Sequence, residues 1–212
     1  IVWQCKRTIP LCKKLKAEGY EDLFRQKTGL LLDPYFSGTK MKWLLDNVPL
    51  PKKENMALGT IDSFLLYRLS KGVAFATEPS NASRTLLCNL SGKWDQELLD
   101  ILSVPIDALP EIKNSNSVFG ITKGLGFLPD GIPITGMLGD QQAALMGQAC
   151  FSPNEAKCTY GTGSFIMMNI GDRPILSRNG LLTTIAWQID QNITYGLEGS
   201  AFIAGAAIQW LR

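Results

Sequence analysis

Five stretches of the 212-residue sequence carry residues whose types and spacing could do chemistry. MLGDQQAALMGQ (137–148) sets Asp140 between a glycine and two glutamines, just ahead of an apolar run. Asp140 reads either as a helix N-cap, accepting hydrogen bonds from first-turn N–H groups, or as a catalytic carboxylate at a strand end, with the Gln141 amide beside it to recognise hydroxyls. A capping box would want Glu or Gln three residues on, where Ala143 stands. TYGTGSF (159–165) flanks Thr162 with Gly161 and Gly163. Such a turn can aim backbone N–H groups and a hydroxyl at phosphate oxygens, or it is simply a glycine hairpin. GLEGSAFIAGAAIQWL (196–211) crowds small residues, Gly205 among them, at a strand–helix junction. That junction suits close approach of a nucleotide or tight helix packing. DPYFSGTKMKWLLDN (33–47) puts Tyr35 in a loop before a helix, and Trp3 sits in the opening IVWQC. Either aromatic offers a polyol a flat face and a polar tip, or belongs to the core.

Composition limits what these groups can do. The sequence contains no histidine, which removes Ser-His-Asp triads, histidine metal sites and imidazole acid–base chemistry within these residues. Hydrophobic residues make up 45 % and charged residues 19 %, an ordinary globular balance with a net charge of +2. That charge leaves no nucleic-acid footprint. Lys13, Lys14 and Lys16 cluster beside Cys12 and Leu15 as the wet face of a helix. Five cysteines without a CxxC pair predict free, mostly buried thiols rather than a disulfide framework. The Asn-X-Ser/Thr triplets at Asn81, Asn89 and Asn192 read as chance matches. No apolar run reaches membrane-spanning length, and no GxxxxGK[ST] phosphate loop occurs. With both ends falling inside apparent elements, the sequence reads as an internal piece of a longer protein.

The elements that must position these residues follow from periodicity. IVWQC predicts the end of a buried strand, and 10–27 one helix with Pro10 in its first turn. TKMKWLLDNV predicts a helix buried along Met41, Leu44, Leu45 and Val48. MALGTIDSFLLYRLS predicts another, whose inner face runs from Asp62 through Leu65, Leu66 and Leu69. SNASRTLLCNL suggests strand and turn, and WDQELLDILSV a short helix ended by Pro105. Glycines break up the stretch to about 131. IPITGML then predicts a strand buried on both faces, running directly into the helix of 140–148. From Ala156 the pattern changes to strands, KCTYG, SFIMMNI, LLTTIAWQI and NITYGLEGS, so a boundary is expected near Gln148–Ala149.

IVWQCKRT, TGLLLDPYFSGTK, SNASRT, GDQQAAL, YGTGSF and LEGSAFIAGAAIQWLR, in this order, resemble the FGGY carbohydrate kinases, most specifically their glycerol-phosphorylating members. The likeness spans essentially all 212 residues and is weakest over about 113–131. It implies an α/β fold of the ribonuclease-H-like, actin-type ATPase kind with the active site in a cleft between two domains. Residues 1–148 would be the later part of the first, glycerol-side domain, and 149–212 the beginning of the second, ATP-side domain. The reaction implied is phosphorylation of a terminal hydroxyl of glycerol by ATP with Mg2+, in a cytoplasmic enzyme that forms homo-oligomers when full length. By position, Asp140 matches the family's general base, and Gln141, Trp3, Tyr35 and Phe165 match glycerol contacts. Gly161 and Thr162 match the phosphate-side ATP loop, and Gly205 and Gln209 match nucleotide contacts. The family's phosphate hairpin, an early metal-associated aspartate and an Arg-Glu pair would precede Ile1, and its adenine-binding segment would follow Arg212. One departure stands out: KGLGFLPDG (123–131) lacks the arginine of the loop that binds an inhibitory sugar bisphosphate in many bacterial members. Rival readings are another FGGY polyol or sugar kinase, and a non-catalytic actin-like nucleotide-binding module.

Overall fold

A computed structural model describes residues 1–49 and 56–212. Its first part is helical, with short strand pairs between the helices. Helix α1 (Ile9–Ala17) carries Pro10 in its first turn and buries Cys12 and Leu15, leaving Lys13, Lys14 and Lys16 exposed as expected. The single helix expected over 10–27 is two helices. Gly19, in left-handed backbone (φ +86°), breaks it before α2 (Glu21–Thr28). Gly29 closes α2 at φ +73°, and a Cβ there would meet the carbonyl of Thr183, so the position requires glycine twice over.

Helix α3 (Ser37–Asn47) buries Met41, but Leu44 and Leu45 are only half-buried and Val48 lies beyond its end, exposed. Helix α4 (Ile61–Leu69) buries Leu66 and the Asp62 carboxylate, which accepts hydrogen bonds from the hydroxyls of Thr60 and Thr77. Leu65, expected inside, is exposed. β1 (Ala76–Thr77) runs parallel to β2 (Glu111–Ile112). Between them lie α5 (Pro79–Ala82), α6 (Gln96–Leu102) and a 3-10 turn (Ile106–Ala108). The strand expected in SNASRTLLCNL is therefore a helical turn, because Pro79 sits at its first position and the Glu78 carboxylate caps it. Asp95 caps α6 in the same way through the amide of Leu98. The main core gathers Phe24, Leu30, Leu32, Phe36, Leu87, Leu99 and Leu102 with their neighbours.

Two expected strands are corrected. IVWQC is a turn with Ile1, Val2 and Trp3 exposed. IPITGML supplies only the two-residue β4 (Pro133–Ile134), paired antiparallel with β3 (Gly120–Ile121), with Ile132 exposed. Neither segment has described neighbours on both sides to complete a ladder. After β4 the chain enters α7 (Asp140–Gly147).

The four strands expected after Ala156 all form: β5 (Ala156–Tyr160), β6 (Ser164–Gly171), β7 (Leu182–Ile189) and β8 (Asn192–Ala201). They make one antiparallel sheet in the order β5-β6-β8-β7. The free edge of β7 is covered by the first part of the chain. The Thr183 amide donates to the Gly29 carbonyl (3.0 Å), and the Gln188 carbonyl accepts from the Ser115 amide (2.8 Å). The amides of Ile185 and Gln188 donate to the hydroxyls of Ser83 and Ser115. Covering an edge in this way fixes the sheet against the helical part. Leu145 of α7 packs with Met167 and Trp187 in a second core. Helix α8 (Gly205–Leu211) ends the chain with no residue buried, Trp210 being 84 % exposed.

Candidate active site

The aromatic wall is built from a polar turn. Asp33 accepts from the Tyr35 amide through its side chain (2.8 Å), and the buried Lys40 ammonium donates to the carbonyls of Pro34 and Tyr35. Those bonds hold the loop, and the Tyr35 ring then meets Trp3 edge-on, with centroids 5.6 Å apart. Phe202 joins both, 5.9 Å from Trp3 and 5.7 Å from Tyr35. Trp3, at 44 % exposure, is a surface aromatic here rather than a core residue. Phe202 was not foreseen.

Beside this wall opens a cavity of about 270 Å³ lined by Tyr35, Gln141, Phe165, Arg84, Glu198 and Phe202, among others. Three of the expected acceptor-side residues therefore share one cavity. Trp3 instead lines the adjoining groove with Tyr35 and Phe202. Arg84 and Glu198 were missed by the sequence reading, although both stand in stretches that carry the resemblance, each the lone charge among small and polar residues. They form an ion pair, and Arg84 Nη2 donates to the Tyr35 hydroxyl (3.0 Å) while its guanidinium lies 5.3 Å from the Tyr35 ring centroid. Burial works against the arginine's charge, but Glu198 and the Tyr35 oxygen more than offset it and hold its pKa above the ordinary value.

Asp140 is placed by a second polar chain. The amide of Gly139 donates to Ser80 Oγ (2.9 Å), and the Ser80 hydroxyl donates to Glu78. Glu78, 0 % exposed, also accepts from the amides of Ser80 (2.9 Å) and Asn81 (2.7 Å) and from the Ser115 hydroxyl (2.9 Å). Ser115 in turn accepts the Met137 amide on its carbonyl (3.1 Å), so both ends of the 137–139 turn are tied to one buried carboxylate. Burial pushes the Glu78 pKa up against these hydrogen bonds.

The capping reading of Asp140 is corrected. Gly139 is the N-cap, and Asp140 is the first residue of α7, with no capping bond from its side chain. A first-turn carboxylate is still favoured by the helix dipole. Its exposed side chain accepts from Gln141 Nε2 (3.0 Å), and Gln141 Oε1 accepts from the ammonium of Lys157. Asp140 does not itself line the 270 Å³ cavity; it reaches that cavity through Gln141.

The β5–β6 turn and the start of α8 come together. The Gly205 amide donates to the Gly161 carbonyl (3.0 Å), and the amides of Ala204 (2.8 Å) and Ala206 (3.3 Å) donate to the Thr162 carbonyl. A Cβ on Gly205 would strike the Gly161 carbonyl, which is why this junction needs its glycine. Thr162 is exposed, and Gln209 lies exposed one turn along α8. Among the described residues, no group of three or more His, Cys, Asp or Glu is placed to hold a metal ion. All five cysteines are free, and Cys12, Cys88 and Cys150 are buried. Burial pushes the Cys12 thiol up to about 11, so it stays protonated at neutral pH. No helix among the described residues is long and apolar enough to cross a membrane.

The pocket at the junction of the helical and strand-rich parts, apolar on most of its wall with Arg84, Gln141 and Glu198 as polar groups, is compatible with many enzymes, and comparison supplies the family. The chain belongs to the FGGY family of carbohydrate kinases, whose N-terminal-domain model matches residues 1–147. Glycerol kinases are among the proteins the chain resembles at high identity. That of Bdellovibrio bacteriovorus is 58 % identical over 218 residues, covering 100 % of this chain and 44 % of its own length. The crystal structure of Plasmodium falciparum glycerol kinase with ADP superposes with a TM-score of 0.92 at 38 % identity, over 100 % of this chain and 43 % of that one. A gluconate kinase from Lactobacillus acidophilus (TM-score 0.84, 24 % identity, 100 % of this chain and 43 % of that one) shares the fold. The fold is thus the actin-type, ribonuclease-H-like ATPase fold of these kinases. The chain spans under half the length of the relatives it matches.

Proposed function

We propose that these residues form the glycerol-facing wall and the first part of the nucleotide-facing turn of a glycerol kinase, which transfers the γ-phosphoryl group of ATP to a terminal hydroxyl of glycerol. The observation that carries the reading is the cavity that joins Tyr35, Phe165 and Gln141, with the Asp140 carboxylate hydrogen-bonded to that same glutamine. The aromatic faces take the carbon side of the polyol, and Gln141, Arg84 and Glu198 meet its hydroxyls.

Asp140 accepts a hydrogen bond from the attacking hydroxyl and orients it. As the oxygen–phosphorus bond forms and the bond to ADP breaks, the hydroxyl proton passes to the Asp140 carboxylate. A loose transition state makes that transfer late, so a carboxylate suffices and histidine is unnecessary. On the donor side, the Gly205–Gly161 hydrogen bond holds the turn against α8, the exposed Thr162 offers its hydroxyl to a phosphate, and Gln209 lies toward the nucleotide in this reading. Mg2+ supplied with ATP would offset the charge of the phosphates during transfer. Cytoplasmic location and homo-oligomerisation belong to the same proposal.

The test is substrate choice by the full-length protein. Phosphorylation of glycerol should exceed that of xylulose, erythritol and gluconate in kcat/KM; a preference for any of these three would replace glycerol kinase with another member of the family.

A further inference from the structure

We propose that Lys157 is a positioning residue, whose ammonium fixes the orientation of the Gln141 amide and, through it, the Asp140 carboxylate. This rests on Asp140 being the base. Lys157 stands on β5 with its side chain turned inward, 2 % exposed. Its Nζ donates to Gln141 Oε1 and to Thr159 Oγ1 (2.8 Å). An ammonium can only donate and an ionised carboxylate can only accept, so the amide between them has one permitted orientation. With Oε1 toward Lys157, Nε2 must face Asp140, and it lies 3.0 Å from Oδ2. Flipping the amide would set NH2 against the ammonium and a carbonyl against the carboxylate, two repulsions in place of two hydrogen bonds.

Holding this chain requires burying a charge. Burial lowers the Lys157 pKa; the charges of Asp140 and Glu198 act in the opposite direction, and Arg84 adds to the lowering. A packing role alone would be met by Met or Leu without that penalty. The same lysine also links the two parts of the chain: β5 belongs to the strand-rich part, whereas Gln141 and Asp140 begin α7. Asp140 itself is exposed, and Gln141 is the side-chain partner that meets its carboxylate, so its aim depends on this one-way relay.

In the full-length protein, Lys157→Met should lower kcat for glycerol by roughly 10- to 100-fold, the scale of a small misplacement of a reacting group, while KM for glycerol, to which Gln141 also contributes, rises by a smaller factor. Lys157→Gln, which keeps an N–H donor, should recover part of the loss. Since Lys157 acts through Gln141, Lys157→Met added to Gln141→Ala should cause no further loss, whereas a purely structural lysine would give additive losses. Should Lys157→Met lack a cooperative melt, Lys157→Gln takes its place in the cycle. Unchanged kcat or additive losses overturn the positioning role. Asp140→Asn serves as the control: near-normal turnover there removes the base itself, whereas a dead Asp140→Asn beside a normal Lys157→Met rejects only the relay.

Discussion

The Arg84 guanidinium answers to three demands at once: the Glu198 charge, the Tyr35 hydroxyl and the Tyr35 ring. Removing it leaves Glu198, 8 % exposed, without its partner. Arg84→Met is therefore expected to destabilise the fold by about 3 kcal/mol, and Arg84→Met with Glu198→Leu by less than Arg84→Met alone, because the stranded charge is gone. Denaturant melts of the three proteins check this. Tyr35, Gln141 and Phe165, which share the cavity, could be singled out in the sequence because each stands in a contiguous stretch that carries the resemblance. Arg84, Glu198 and Lys157 were not, since their partners lie far along the chain: 114 residues separate Arg84 from Glu198, and 16 separate Lys157 from Gln141. A lone charge among small residues, as in GLEGS, was the available signal.

At the scale of elements, the turn into α7 hangs on Glu78. Its raised pKa means that the folded state binds the proton more readily than the unfolded chain. The stability this gives is fully present below the unfolded carboxylate pKa and is lost as pH rises through the raised folded value. Glu78→Gln, a neutral isostere, should flatten that part of the stability–pH curve, measured as Tm against pH. At the other turn, Gly205→Ala forces a methyl onto the Gly161 carbonyl. A strain of about 1–3 kcal/mol should appear there, raising KM for ATP and leaving KM for glycerol unchanged. The strands of 156–201 were readable because alternation and turn glycines agree with the ladder that forms. IVWQC and IPITGML were misread because an apolar run shows that a segment can be buried, not whether neighbouring strands flank it. SNASRT was misread because Glu78, just before the stretch, is the cap that turns it helical.

At the scale of the molecule, the strand-rich part is held to the helical part along β7 and through the Arg84–Glu198 pair, so the candidate pocket depends on both. The chain nevertheless spans only 44 % of the Bdellovibrio bacteriovorus relative, and helix α8 buries none of its residues. The isolated 212 residues are expected to show negligible glycerol phosphorylation, measured as ADP release; robust turnover would refute the division of the site that the resemblance implies. The proposed base role of Asp140 is tested by Asp140→Asn in the full-length protein, with glycerol binding followed by calorimetry and turnover by ADP release. Retained binding with kcat lowered by roughly 100-fold or more is predicted. Near-normal kcat would contradict it.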